Sequence, residues 1–259
     1  MDSMQNYLSF ACYLAEKSAK IIMPWFNKTN LKVETKSDSS PVTIADKEAE
    51  NFMRETIQKT YPEHGIIGEE FGNTNENAPY SWVLDPIDGT QSFICGVPLF
   101  GTLIALLENK KPVIGIINLP ALNELYVGYA GGKTTLNGKE ISVRQTASLT
   151  DAVLVCTDHL SVAKYKNEKA FLDLAKQVRL YRNWGDCYMY TLLARGNVDI
   201  VVDPVMNPWD IQALIPVING AGGVITDYEG RPPEQGKSIV AAVPELHTQV
   251  IQTLNFHPE

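Results

Sequence analysis

Asp85 and Asp88 stand three residues apart in the run Trp82-Val83-Leu84-Asp85-Pro86-Ile87-Asp88-Gly89-Thr90, with a proline restricting the turn between them. Carboxylate oxygens are the donors that a hard divalent cation such as Mg2+ prefers. Gly89-Thr90 then opens a predicted helix, whose first backbone N–H groups lack intrahelical partners and favour an anion. Acids beside such amides describe a metal-assisted phosphate site. Taken alone, D-x-x-D-G reads first as a turn in which Asp and Gly serve backbone geometry.

Three other fragments shift the balance. Gly68-Glu69-Glu70 follows the apolar pair Ile66-Ile67, and Pro208-Trp209-Asp210 puts a carboxylate in the first turn of a helix. Lys36, Asp38 and the run Pro41-Val42-Thr43-Ile44-Ala45-Asp46 supply a further acid. Each alone reads as a solvated charge, and Asp210 as compensation of a helix dipole. Acids at the ends of four elements, next to a phosphate-binding turn, are better explained by clustered metal ions.

The elements that must carry these acids follow from apolar spacing. Residues 4–23 read as an amphipathic helix ending at Pro24, and 32–43 as a polar stretch with a turn at Ser39-Ser40-Pro41. Thr43 offers a cap to a second helix, 44 to about 60. Residues 72–78 read as a loop and 82–84 as a short buried strand. Apolar runs at 101–107, 113–118 and 124–129 predict an antiparallel meander, and Asn137-Gly138 a hairpin. Beyond a seam near 145–150 the elements alternate. Strands are predicted at 152–156, 180–181, 198–202, 224–225 and 239–243, and helices at 162–178, 185–195, 208–220 and 244–254. The expectation is one body, 1–259, with an N-terminal α+β half of about 1–147 and a C-terminal α/β half of about 148–259.

The chain has 259 residues, with 22 Lys+Arg against 30 Asp+Glu and a net charge of −8. That balance argues against nucleic-acid or anionic-membrane partners held by bulk charge. Cys12, Cys95, Cys156 and Cys187 show no paired C-x-x-C spacing, so neither a disulfide framework nor a zinc knuckle is expected. No apolar run reaches the 18 or so residues a membrane span needs, and the first residues lack a leader pattern. The expected setting is cytoplasmic.

The D-P-I-D-G-T run, the upstream G-E-E, the downstream W-D and the stretch K-x-D-x-x-P-V-T-x-x-D resemble the inositol monophosphatase family of Mg2+-dependent, lithium-sensitive phosphomonoesterases. The likeness runs from about residue 36 to 223, in the family's order. It implies an α+β fold, a layered αβαβα sandwich, and a homodimer acting on a small phosphorylated metabolite with two or three Mg2+ ions. By the resemblance, Glu69, Asp85 and the Ile87 carbonyl hold a first ion; Asp85, Asp88 and Asp210 a second; Glu69 mainly a third. Gly89 and Thr90 match the family's phosphate-binding amides. Thr90 with Asp46 matches the pair that orients the attacking water, assisted by Glu69. Phosphatases that form an aspartyl-phosphate space their acids as D-x-D; the D-x-x-D here predicts ligands and direct attack by water.

Arg182-Asn183-Trp184-Gly185-Asp186-Cys187-Tyr188, with Asp203 in V-D-P-x-M-N-P-W-D, resembles the histidinol-phosphate phosphatase branch. Extra carboxylates suit a leaving group bearing an ammonium and an imidazole better than a neutral polyol. The plainer reading of Asp186 is a cap for the helix at 185–195. Arg182 either contacts substrate or pairs with an acid across an interface; Trp184 and Trp209 read as packing residues, and His64, His159, His247 and His257 match no metal spacing. The leading expectation is hydrolysis of histidinol phosphate in histidine biosynthesis. The alternatives are an inositol-1-monophosphatase, a broad sugar or polyol phosphatase, or a non-catalytic interaction protein on the same scaffold. A nucleotide phosphatase is disfavoured, since no basic cluster is evident for a second phosphate.

Overall fold

A computed structural model describes residues 3–29, 32–35 and 41–256. Lys36, Asp38, Ser39, Ser40 and His257 lie outside the described residues, so the acid and the turn read there have no structural account. Helix α1 (Met4–Ile22) forms on the predicted apolar stripe, capped by Ser3, with Pro24 at the start of the short 3-10 turn that follows. Strands β1 (Val33–Thr35) and β2 (Pro41–Thr43) pair antiparallel. Helix α2 (Ile44–Thr60) begins where Thr43 predicted it. The Thr43 hydroxyl accepts from the Ala45 amide at 3.1 Å, and the Asp46 carboxylate accepts from the Thr43 amide at 2.8 Å, a reciprocal cap.

The larger sheet is built from β3 (Gly65–Gly68), β4 (Gly72–Thr74) and β5 (Tyr80–Asp88), then, after the short helix α3 (Thr90–Ile94), β6 (Gly101–Glu108), β7 (Lys111–Leu119), β8 (Glu124–Tyr129), β9 (Thr135–Leu136) and β10 (Lys139–Glu140). Their order is β10-β9-β8-β7-β6-β5-β3-β4, antiparallel except for β3 against β5. The meander and the Asn137-Gly138 hairpin are as predicted. Residues 72–78 are not wholly loop, because β4 pairs with β3 despite its polar sequence. Strand β5 also extends well past 82–84. The alternation is plain on it and on β6: Val83, Leu103 and Ala105 face one core, and Trp82, Leu84 and Ile104 the other.

The second sheet takes β11 (Val153–Cys156), β12 (Leu180–Arg182), β13 (Ile200–Asp203), β14 (Val224–Thr226) and β15 (Ile239–Ala242) in the order β12-β11-β13-β15-β14. Its helices are α4 (His159–Tyr165), α5 (Glu168–Gln177), α6 (Asp186–Ala194), α7 (Pro208–Ile211), α8 (Leu214–Gly220) and α9 (Pro244–Leu254). Two predicted helices are broken. The stretch 162–178 starts earlier, at an Asp158 cap, and divides where the Asn167 side chain caps α5. The stretch 208–220 divides at 212–213, because Pro216 has no N–H to offer the carbonyl of Gln212.

Helices α1 and α2 cover one face of the larger sheet, α6 and α8 lie between the sheets, and α9, with α5 against it, covers the far side. This is the layered αβαβα sandwich. One core cluster joins residues of both halves across the middle layer, from Val83 and Ile117 to Leu193 and Val217. No helix of the described residues is long and apolar enough to cross a membrane.

Candidate active site

In a regular strand, residues three apart face opposite sides. Asp85 and Asp88 do not, because the β5–β6 register shifts between them: Asp85 lies opposite Leu103 and Asp88 opposite Gly101, three steps against two. The bulge turns both carboxylates to one side, where their oxygens come together. Asp210 enters from the other half, in the first turn of α7, where one oxygen accepts from the Asn207 amide at 2.7 Å. The dipole-compensating placement and the cluster are therefore both real. Ligand oxygens of Asp85, Asp88 and Asp210 lie within 4.8 Å of one another.

Such crowding is unfavourable for bare anions. Burial, then the charges of Glu69, Asp88 and Asp210, push the Asp85 carboxyl well above the usual carboxylate range. Burial and the neighbouring Asp186 and Asp210 do the same to Asp88, and burial brings Asp210 to about 7. Asp85 Oδ1 is buried with no hydrogen-bond partner, a state that costs free energy until something electropositive meets it. An all-oxygen donor set with an orphaned carboxylate oxygen fits a hard divalent cation. Glu69 stands outside the trio but bears on it, since its charge raises Asp85, Asp210 and Asp46.

Gly89 precedes α3 at φ 83°, and a Cβ there would lie 2.9 Å from Asp186 Oδ2. Only glycine meets both demands. The opening amides of α3 thus sit at the end of the acidic cluster. Thr90 and Asp46 are not bonded to each other. The Thr90 hydroxyl donates to the Ile87 carbonyl at 2.9 Å, and Asp46 Oδ2 accepts from the Thr43 hydroxyl at 2.6 Å. Asp46 Oδ1 is left buried without a partner, and burial raises this carboxyl to about 6.

Beside the trio lies a cavity of about 110 Å³ whose lining includes Asp88, Asp158, Asp186, Asp203, Tyr190 and Asp210. No Lys, Arg or His is among its described lining residues. Asp186 does not cap α6: Gly185 holds the cap position, and Asp186 adopts φ 56° with its carboxylate 3.4 Å from the Ser92 hydroxyl. The Cys187 amide donates to Asp88, tying α6 to the bulge. Asp203 accepts from the Tyr190 hydroxyl at 3.0 Å, and burial lifts it to about 8. Arg182 is exposed on β12, bonded to the Tyr181 carbonyl, and is not in this lining. Trp184 is 36% exposed, so it is no core residue, whereas Trp209 packs on the core. His64 and His247 bond to Trp82 and Thr226, away from the acids.

Asp158, Tyr190 and Thr157 line the cavity unforeseen. Asp158 follows the apolar strand β11 as Asp85 follows 82–84, and Tyr190 lies four residues after Asp186, on the same face of α6. Both signals were available in the sequence.

A sequence profile of the inositol monophosphatase family matches residues 3–259. A bifunctional phosphatase, IMPL2, chloroplastic, of Arabidopsis thaliana is 43% identical over 257 residues, covering 94% of this chain and 73% of that protein. A histidinol-phosphatase of Chlorobaculum parvum is 39% identical over 236 residues, 91% of each chain. Among solved structures, an inositol monophosphatase from Zymomonas mobilis superposes with a TM-score of 0.87 at 37% identity, covering 99% of this chain and 100% of that one.

Proposed function

The chain belongs to the inositol monophosphatase family and is a phosphomonoesterase, and we propose that it hydrolyses histidinol phosphate with the help of bound Mg2+. The observation that carries the choice of ester is the cavity beside the trio, which Asp158, Asp186 and Asp203 line with no cationic side chain among its described lining residues. A leaving group with an ammonium and an imidazole gains from the charge of Asp186 and from Asp203, which the cation draws toward its ionised form against the burial that lifts it to about 8; a neutral polyol gains only hydrogen bonds. Opposite charges 4 Å apart near a protein surface are worth about 4 kcal/mol before desolvation is subtracted.

In this reading Asp85, Asp88, Asp210, Glu69 and the Ile87 carbonyl hold the cations. A divalent cation there lowers the pKa of a water, neutralises phosphate oxygens and supports the departing alkoxide. The Gly89 and Thr90 amides receive the phosphate. With its proton committed to Ile87, the Thr90 oxygen is an acceptor for the attacking water, and Asp46 Oδ1 is the free carboxylate oxygen nearest in role. Glu69 assists in holding that water. Gly185 and Cys187 set the backbone on which Asp186 and Asp88 are arranged, and Asp186 and Asp203 address the organic part of the ester. Arg182 has no place in the cavity of this chain. Li+ inhibition and the homodimer follow from the family reading, and the cytoplasmic setting from four scattered free thiols, which fit a reducing compartment.

Inositol 1-phosphate is the second reading, favoured by the likeness to the Zymomonas mobilis structure. The two are separated by kcat/KM on both esters at saturating Mg2+. We expect Asp186→Ala to lower kcat/KM for histidinol phosphate about ten- to a hundredfold, the loss of one charge-assisted contact, and to leave inositol phosphate little changed. Equal losses on both esters would defeat the assignment.

A further inference from the structure

Helix α2 and the turn between β3 and β4 carry two of the acidic motifs, and one buried carboxylate joins them. Glu50, one helical turn after Asp46, is 0% exposed. Its Oε2 accepts from the Glu70 amide at 2.7 Å; its Oε1 accepts from the Phe71 amide and from Arg54 Nη1, each at 3.1 Å. Arg54 Nη1 also donates to the Gly72 carbonyl at 2.8 Å. On its other side the turn is anchored to β5, where the Glu69 amide donates to the Leu84 carbonyl at 3.2 Å. Glu69 is thus held between β5 and a clamp from α2.

Gly68 completes the fit. A Cβ at that position would lie 2.1 Å from Glu50 Oε1 and 2.7 Å from Arg54 Nη1. The glycine of Gly-Glu-Glu is there so that the clamp can close. A pair of apolar side chains would fasten helix to turn at least as well, because burying an ion pair carries a desolvation penalty of several kcal/mol per ion. What apolar groups cannot do is orient two successive amides. A carboxylate with one oxygen for Glu70 and one for Phe71 fixes the backbone direction of the turn, and with it where Glu69 points.

We propose that Glu50 is a positioning residue: its carboxylate sets the turn so that Glu69 is presented to the Asp85–Asp210 cluster, and divalent-cation affinity depends on it. The inference rests on the metal role proposed above for Glu69. Partners that orient metal ligands from outside typically contribute ten- to a hundredfold in metal affinity.

The test is a titration of the substrate-free protein with Mn2+, followed by the electron paramagnetic resonance of the free ion. The proteins are the parent, Glu50→Gln, Arg54→Gln, Glu69→Gln and Arg144→Gln. Glu50→Gln keeps the shape but sets an NH2 group against one of the two amides. Its Mn2+ dissociation constant should rise about ten- to a hundredfold, with a smaller rise for Arg54→Gln, which leaves the carboxylate in place. The lost kcat/KM should return in part at high Mn2+. Arg144→Gln breaks the ion pair to buried Asp199 in the other half; it should lower Tm yet leave Mn2+ binding alone. Unchanged binding in Glu50→Gln beside weakened binding in Glu69→Gln overturns the inference by itself. Unchanged binding in both overturns it together with the metal reading. Equal weakening in Glu50→Gln and Arg144→Gln reduces the effect to stability and overturns it too.

Discussion

Asp85 is the residue on which the site turns, buried, crowded by three other acids and left with one oxygen unbonded. Asparagine keeps its shape and removes the charge. Asp85→Asn should therefore lower phosphate release at saturating Mg2+ on the order of a hundredfold or more while leaving the metal-free fold as stable or more so, since a crowded, buried carboxyl is replaced by a neutral group. Phosphate release and Tm, measured on the same preparation, check both halves of that expectation. At this scale the acids were legible because each stands at the end of a predicted element, Glu69 and Asp85 after apolar strands and Asp46 and Asp210 in the first turns of helices, and four such acids beside one phosphate-binding turn exceed what capping alone calls for. Asp186 was legible as an acid but not as a non-cap, because its positive φ and its approach to Gly89 are set by chain 97 residues away in sequence. Glu50 gave no sign at all: its partners are the amides of Glu70 and Phe71, and a backbone amide looks the same in every sequence.

Among the elements, the bulge in β5 matters most, since it puts two acids of odd spacing on one side. Pro86, which has no N–H for the ladder, marks a break there, but the side to which the break turns the acids depends on the strand that β5 pairs with, β6. Helix α2 was legible to its first residue because its cap is local, Thr43 with Asp46. The breaks at 166–167 and 212–213 were missed for opposite reasons. Asn167 offered a cap inside an apolar period that continues through it, and Pro216 acts four residues upstream of itself. The glycine at the start of α3 gives the prediction for this scale. Gly89→Ala forces a side chain into a left-handed conformation and against Asp186, costing about 1–2 kcal/mol. It should lower Tm by a few degrees and raise KM for the ester, which thermal melts and kinetics read separately.

For the whole molecule, the buried acids make stability depend on protons and cations together. Asp186, Asp210 and Asp203, moved by burial from an ordinary 3.8 to about 6, about 7 and about 8, bind protons more tightly when folded than when unfolded. Their raised values favour folding fully below 3.8, and that contribution is lost as pH rises through about 6 to about 8. The metal-free protein should thus melt at progressively lower temperature across that window. Saturating Mg2+ should flatten the slope, because a cation replaces the protons. Melting curves at several pH values with and without Mg2+ would show it, and a metal-free protein that melts higher at pH 8 than at pH 5 would contradict it. The layered architecture was readable as a meander followed by alternating elements, while the joining of both halves in one middle core was not, since it depends on which faces of β5 to β8 meet α6 and α8. The most direct measurement is anomalous diffraction from a crystal soaked in Mn2+ and phosphate. We expect ions bound by the carboxylates of Asp85, Asp88 and Asp210, with phosphate on the amides of Gly89 and Thr90. Ions bound elsewhere, with those three carboxylates unliganded, would contradict the account.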